Sequence, residues 1–195
     1  MGFVMLGIAT LTDFGLNAAV FGMVAHGLIT GMLFFVAGSV GERYHTREMG
    51  RLGGLLTQAP KLGWILGFSA MASLGLPGLA GFWGEFPAIL AAYEPANLAN
   101  GLFGTSNLVT FRSFMIVAAI GTVLAAGYLL WMLQRVAFGK PKPEFEATHI
   151  HDVHASEWIA WTPILVLIVV LGIFPGLLFS ITDGAASSLT KVFGG

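Results

Sequence analysis

Of the 195 residues, 56% are hydrophobic and only 10% are charged, whereas roughly a quarter of the residues of a soluble domain are charged. This composition excludes an ordinary soluble domain and indicates a membrane protein. The formal net charge is -1, no basic run predicts a nucleic-acid partner, and a chain without cysteine has neither a disulfide framework nor a thiolate metal site. Residues 1–11 lack a cationic leader and a cleavage site, so they do not resemble a signal peptide.

The first two predicted membrane segments differ in length. Residues 1–12 are apolar but supply only about half of the ~20 residues that a spanning helix needs, so they are expected to be the end of a helix that begins upstream. Residues 14–40 are long enough to span with some tilt, and their glycines and alanines allow neighbouring helices to approach closely. His26 lies near the middle of this segment.

A charged loop, residues 41–61, leads into a segment at 62–93 that is predicted to be a broken helix with its break at 75–81. Pro77 cannot donate a backbone hydrogen bond, and the surrounding glycines allow the chain to leave helical geometry. Each half would reach only about 18 to 22 Å, and the hydrocarbon core is about 30 Å thick. Only the two halves together can span, and interrupted helices of this kind mark ion sites in transporters.

The second half of the chain predicts two further spans. Residues 94–112 form a polar loop, residues 113–138 a spanning helix, and residues 139–157 a charged, proline-containing loop. Residues 158–181 cross again, with Pro175 expected to kink or end the helix. Residues 182–195 are predicted to be a short polar tail.

The distribution of cations predicts the orientation. If the loop at 41–61 is cytoplasmic, the loop at 139–157 lies on the same side, and this side, counted with Arg135 at the end of the span before it, carries seven cations against two on the other side, as the positive-inside rule requires. The seven are Arg43, Arg47, Arg51, Lys61, Arg135, Lys140 and Lys142, and the two are Arg112 and Lys191. The Met1 side is therefore predicted to be cytoplasmic and the C-terminus to lie outside.

Two ionisable residues lie within the apolar segments, His26 and Glu85. Placing such a group in hydrocarbon costs about 2.5 to 3.5 kcal/mol on insertion scales, so it usually faces a cavity or a partner. Glu85 follows the predicted break and could exchange protons, or it could simply cap the second half-helix. His26 could pass protons between waters, or it could bridge two helices as a neutral hydrogen-bonding group.

Other polar clusters give weaker signals. His149, His151 and His154 lie beside Asp152 in a charged loop, where a solvated loop is favoured over a metal site, and no metal site is predicted. His45 belongs to another exposed loop. The chain has no glycine-rich phosphate loop, nucleophile elbow or paired catalytic carboxylates. Independent active-site chemistry is therefore not expected in this chain.

Six motifs occur in the order found in one membrane-protein family. They are MGFV at 1–4, MVAHGL at 23–28, GERYHTREM at 41–49, GGL at 53–55, GLPG at 75–78 and GEF at 84–86. This run resembles the M subunit of bacterial proton-pumping NADH:quinone oxidoreductase (complex I), the counterpart of mitochondrial subunit 4.

The resemblance implies an all-α, polytopic transmembrane bundle with one discontinuous helix, as part of an inverted-repeat antiporter-like fold. The chain would be a single domain, the C-terminal portion of a longer subunit in a bacterial inner membrane. The glutamate of the GEF motif is the terminal proton-relay residue of that family, which carries to Glu85, and the histidine of the AHGL motif lies in its central polar axis, which carries to His26. The relay residues of the first repeat are absent here.

The resemblance also implies the partners and the reaction. The chain would work with the lipid bilayer, protons and other membrane subunits of complex I, whereas NADH, flavin, iron-sulfur clusters and quinone would bind to other subunits. Two alternatives stay open: a subunit of an Mrp-type sodium/proton antiporter or membrane-bound hydrogenase, and a nonconducting helical scaffold.

Overall fold

The computed structural model describes residues 1–95, 107–146 and 148–194, which form helices and connecting turns without any strand. In chain order the helices are α1 Gly2–Ala9, α2 Asp13–Tyr44, α3 Leu55–Gln58, α4 Pro60–Ser73, α5 Ala80–Ala91, α6 Asn107–Val136, α7 Pro143–Glu146, α8 Ala155–Ile173 and α9 Gly176–Gly194. Among the described helices, α2, α6 from residue 108 onward, and α8 are long and apolar enough to cross a membrane. The predicted all-α membrane fold is confirmed.

The 32-residue helix α2 is the centre of the bundle, and α1, α4, α5, α8 and α9 all pack against it. Helix α1 folds back on α2 through a turn in which the Thr12 hydroxyl accepts a hydrogen bond from the Gly15 amide at 3.0 Å. The two helices touch through small residues, because a Cβ added to Gly7 would lie 2.6 Å from the Gly15 carbonyl oxygen. Such contacts bring the helix backbones close together.

The broken helix consists of α4 and α5, separated by residues 74–79. Gly75 and Gly78 flank Pro77 and have φ values of 65° and 93°, in the left-handed region that glycine tolerates. The break begins and ends slightly earlier than the predicted 75–81, since Gly81 lies inside α5. A Cβ on Gly81 would lie 2.2 Å from the Ala72 carbonyl oxygen, so this glycine allows the two halves to touch and forms no part of the turn.

Helices α8 and α9 run one after the other along α2. Helix α8 ends at Ile173, just before Pro175, as the proline predicted. Helix α9 then continues toward the start of α2, where the Asn17 amide donates to Asp183 Oδ1 at 2.7 Å and the Thr182 hydroxyl donates to Asn17 Oδ1 at 2.6 Å.

The prediction of a polar tail at residues 182–195 is wrong for the part that the structure describes, because this part is helical through residue 194. Phe179, Thr182, Ala186 and Thr190 recur every three or four residues, which is the spacing of one helix face. Ala186 is buried, Phe179 packs on Phe21, and the Thr190 hydroxyl bonds to Asp13. Packing against α2 therefore stabilises a helical conformation in residues 182–194, although this segment is only modestly hydrophobic.

The predicted loop at 94–112 is partly helical. Helix α6 begins at Asn107 rather than at residue 113, and residues 96–106 lie outside the described part of the chain. Phe111 explains the earlier start, since it is buried and packs in a small cluster with Ala92. The apolar segment therefore continues one and a half turns beyond its predicted boundary.

The loops at 41–61 and 139–157 pack against each other, as expected for two loops on the same side. The Gln58 side-chain amide donates to the Phe145 carbonyl at 2.6 Å, and next to this contact the Gly54 amide donates to the carbonyl of Phe138, just after α6, at 3.1 Å. The Asp152 carboxylate accepts hydrogen bonds from the amides of Lys61 and Leu62, at 3.0 and 3.1 Å, and so caps the start of α4. Both loops also contain a four-residue helix, α3 and α7, that was not predicted.

Candidate functional site

Glu85 lies in α5, and its side chain points back toward the break in the helix. A Cβ added to Gly75 would be 2.7 Å from Glu85 Oε2, so the carboxylate lies directly against the backbone of the break. Side chains on a helix lean toward its N-terminus, which brings a residue in the second turn of α5 to this position. The side chain is half-buried.

A close crossing of α2 and α5 fixes the position of Glu85. A Cβ added to Gly84 would lie 2.4 Å from the Cα of Gly22, so the two helix backbones are in direct contact at this point. Because neither glycine has a side chain, the residue next to Gly84 is held against α2. The glycines of the GEF motif and of α2 therefore have a positional role.

Glu85 and His26 line the same small cavity, together with Ser73 at the end of α4. Its volume is about 50 Å³, which is enough for a small number of water molecules. His26 is exposed on α2, and its ring nitrogens lie 3.3 and 3.4 Å from the Thr30 hydroxyl oxygen. The fold therefore brings together the two ionisable residues that the sequence singled out, one on α2 and one on α5.

Glu85 does not cap α5. The N-cap position is Leu79, no side chain bonds to the exposed amides there, and the first turn contains no acidic residue. Across the ranges 1–95, 107–146 and 148–194, no donor makes a hydrogen bond to the Glu85 carboxylate. The alternative in which Glu85 serves only as a helix cap is contradicted by this geometry.

Trp83 connects this region to α8, a link that the sequence did not predict. Its indole N–H donates to the Gly172 carbonyl at 2.8 Å, near the end of α8. Gly172 itself packs against the break, because a Cβ there would lie 2.4 Å from the Cα of Leu79. The sequence offered two separate signals for this link. Trp83 follows a predicted helix break, and Gly172 lies shortly before Pro175.

The loop histidines form a group of rings. The ring centroids of His149 and His151 are 5.1 Å apart, and those of His151 and His154 are 6.1 Å apart. Asp152, the neighbouring carboxylate, bonds to the start of α4. Within the described ranges, no group of three or more histidine and acidic residues has a geometry that could hold a metal ion. His45 ends α2 in a left-handed conformation, with φ of 51°.

An ion pair between Arg43 and Glu157 joins the end of α2 to the start of α8 and was also not predicted. Arg43 Nη2 donates to Glu157 Oε2 at 2.6 Å, and the Ser39 hydroxyl donates to Glu157 Oε1 at 2.6 Å. Arg43 also donates to the backbone carbonyls of His151 and Asp152. The sequence signal was the presence of opposite charges in two loops predicted to share one side.

Comparisons with known proteins agree with the motifs. The NADH:quinone oxidoreductase/Mrp antiporter transmembrane family matches residues 1–110. Subunit M of the NADH-quinone oxidoreductase of Rhodobacter capsulatus is 34% identical over 98% of this chain and 34% of its own length. Chain 4 of the NAD(P)H-quinone oxidoreductase of a Synechococcus species is 36% identical over 91% of this chain and 32% of its own length.

Two solved structures have a similar fold. A chain of respiratory complex I from Thermus thermophilus, determined with bound NADH, superposes with a TM-score of 0.82 and 28% identity over 99% of this chain and 37% of that chain. A chain of the Mrp complex from Dietzia superposes with a TM-score of 0.75 and 22% identity, over 96% of this chain and 40% of that one.

The chain spans about a third of the length of the curated relatives that it matches. The family match covers more than half of the chain, and the similarity to subunit M extends over nearly all of it. The resemblance inferred from the motifs is thus confirmed. This chain belongs to the NADH:quinone oxidoreductase/Mrp antiporter transmembrane family.

Proposed function

We propose that this chain forms part of the proton-translocating membrane subunit of a respiratory NADH:quinone oxidoreductase. The observation that carries the proposal is the position of the Glu85 carboxylate, which lies against the break between α4 and α5 and shares a cavity with His26. Among the described residues it has no hydrogen-bond donor to fix its charge. Glu85 is the relay acid in this proposal and His26 is the central shuttle.

In this mechanism the chain contributes acid–base groups and the redox chemistry takes place elsewhere. The Glu85 carboxylate accepts a proton from the His26 side of the cavity and later releases it, and His26 is reprotonated from water. NADH, flavin, quinone and the iron-sulfur clusters belong to other subunits. This chain has no cysteine thiolate with which to ligate such a cluster, so its residues do not fit that cofactor.

The partners and the orientation follow from the same proposal. The chain is placed in a bacterial inner membrane among other membrane subunits of complex I, with the Met1 side cytoplasmic and the C-terminus outside. The contact between the loops at 41–61 and 139–157 supports a common side for these two loops. The six cations of these loops, together with Arg135 at the end of α6, favour the cytoplasm for that side.

The test is proton translocation by the complete complex carrying Glu85→Gln, with Glu146→Gln as the control. Glutamine keeps the size of the side chain and removes its proton exchange, so most NADH-driven proton translocation in inverted vesicles should be lost while the complex still assembles. Glu146 is an exposed carboxylate in α7, and its substitution should leave translocation unchanged. Normal proton-to-electron stoichiometry in an assembled Glu85→Gln complex would contradict the proposal and favour the scaffold alternative.

A second candidate function is sodium/proton antiport in an Mrp-type assembly, which the similarity to the Mrp complex favours. An antiporter subunit would exchange sodium for protons across vesicles without NADH. A proton movement that requires NADH supports the oxidoreductase, whereas sodium-dependent exchange in its absence supports the antiporter. A hydrogenase assembly would instead couple proton movement to hydrogen evolution or uptake.

A further inference from the structure

A recess with an excess of positive charge lies where α6 meets the two loops. It has a volume of about 590 Å³ and lies between residues 49–53 and the end of α6. Arg135, Lys140 and Lys142 line it, together with Trp131 and Gln134. We refer to this group of five residues as the basic recess.

The three cations of the basic recess have no anionic partner in the part of the chain that the structure describes. No carboxylate lines the recess. Glu144, two residues after Lys142, pairs with Arg51, and Glu48 forms no ion pair within the described residues. Three gathered like charges repel one another, and a bound anion would remove this repulsion.

The same face of α6 becomes apolar away from the recess. Trp131, Tyr128 and Leu124 precede Arg135 at intervals of three or four residues, so they form one stripe on the helix. They are exposed by 46%, 61% and 67%. The Arg135 guanidinium lies 4.1 Å from the centre of the Trp131 ring, where the polar end of the stripe meets the apolar end.

We propose that the basic recess binds the phosphate headgroup of an anionic phospholipid whose acyl chains lie along the stripe of Leu124, Tyr128 and Trp131. Basic pockets at the cytoplasmic ends of transmembrane helices are suited to such headgroups, and tryptophan favours the interface between headgroup and hydrocarbon. A free phosphate ion shares the headgroup chemistry but would leave the stripe uncovered. The site is separate from Glu85 and its cavity.

The test is photolabelling of the complete complex in phosphatidylcholine nanodiscs, with a phosphatidylglycerol that carries a diazirine in its acyl chain. Label on peptides from residues 124–138 is measured as the phosphatidylglycerol content is raised. The variant is K140Q/K142Q, and the matched control is R47Q/K61Q, which removes two cations from the loop at 41–61, outside the recess. A charge-retaining K140R/K142R variant shows whether positions 140 and 142 tolerate substitution.

Each lysine contributes about 1 kcal/mol to the binding of an anionic lipid. Loss of both in K140Q/K142Q should therefore raise the phosphatidylglycerol content at half-saturation by roughly 10- to 30-fold. K140R/K142R keeps both charges, and R47Q/K61Q removes cations that do not line the recess. Each of these variants should therefore change the half-saturating lipid content by less than about threefold. An equal loss of labelling in R47Q/K61Q, or none in K140Q/K142Q, would overturn the proposal. Inorganic phosphate at constant ionic strength should not displace the label, and displacement would assign the recess to a free anion instead of a lipid.

Discussion

Glu157 and Glu85 are carboxylates beside the same long helix, α2, in very different surroundings. Glu157 accepts hydrogen bonds from Arg43 at 2.6 Å, from the Ser39 hydroxyl at 2.6 Å and from the His154 amide at 2.8 Å. Glu85 contacts the backbone of Gly75 and, within the described residues, accepts no hydrogen bond.

The difference separates a carboxylate that holds helices together from one that is suited to exchange protons. Hydrogen bonds from three residues stabilise the negative form of Glu157 and join the end of α2 to the start of α8. Glu85 has a cavity in place of such donors, so neither of its protonation states is fixed by direct bonds. The four predictions that follow test this division, from the largest expected effect to the smallest.

Substitution of Glu157 by alanine should destabilise the complex without stopping proton transfer. The change leaves the partly buried Arg43 guanidinium without its carboxylate, at a cost of about 2 to 3 kcal/mol. Thermal stability should fall, and translocation per assembled complex should stay near normal. Glu146→Ala removes an exposed carboxylate and should leave both unchanged. A selective loss of translocation in a stable Glu157→Ala complex would contradict the structural role.

Substitution of Gly84 by alanine should affect both stability and translocation. The new Cβ would lie 2.4 Å from the Cα of Gly22, so α2 and α5 must separate and Glu85 must move, at a cost of about 1 to 3 kcal/mol. Gly31→Ala is the matched control on α2, because a Cβ there meets nothing within 4 Å. Equal behaviour of the two variants in thermal stability and proton translocation would show that the close crossing is unimportant.

Substitution of Trp83 by phenylalanine should weaken the contact between the broken helix and α8. The ring is largely retained, but the Gly172 carbonyl loses its indole donor, which costs about 1 kcal/mol. Trp64→Phe is the control, since Trp64 is 72% exposed and no hydrogen bond of its indole occurs in the described part of the chain. The measurement is the thermal stability of each complex. A loss of stability no larger than that of the control would contradict a stabilising role for the hydrogen bond between Trp83 and Gly172.

The smallest effect is expected for Glu144, whose pKa is lowered by the Arg51 guanidinium beside it. Its contribution to stability is present above the ordinary value of 4.5 and is lost as the pH falls through the lower folded pKa. Hydrogen exchange in α7, corrected for its intrinsic pH dependence, should become slightly faster in that range. Glu144→Gln should remove this pH dependence, and an unchanged profile would contradict the assignment.

The sequence predicted the broken helix because its signals are local. Pro77 between two glycines interrupts an apolar run, and a proline has this effect whatever surrounds it. The structure has Gly75 and Gly78 in the left-handed region on either side of Pro77. Glu85 and His26 could be chosen as candidates for the same reason, since an ionisable residue in an apolar segment is visible without a fold.

The features that the sequence did not predict depend on contacts between distant residues. Helix α9 owes its position to the bonds of Thr182 and Asp183 with Asn17, more than 160 residues earlier in the chain. Arg43 meets Glu157 only because α2 and α8 are antiparallel neighbours. A single sequence gives the residue types for such pairs but not the packing that brings them together.

The most direct test of the central claim is infrared difference spectroscopy of the complete complex during turnover. If Glu85 gains and loses a proton, a protonated-carboxyl stretching band should appear and disappear with NADH oxidation, and it should be absent in Glu85→Gln. The same band should persist in Glu157→Gln. A wild-type spectrum with no such band, or a band that is unchanged in Glu85→Gln, would contradict the assignment of Glu85 as the relay acid.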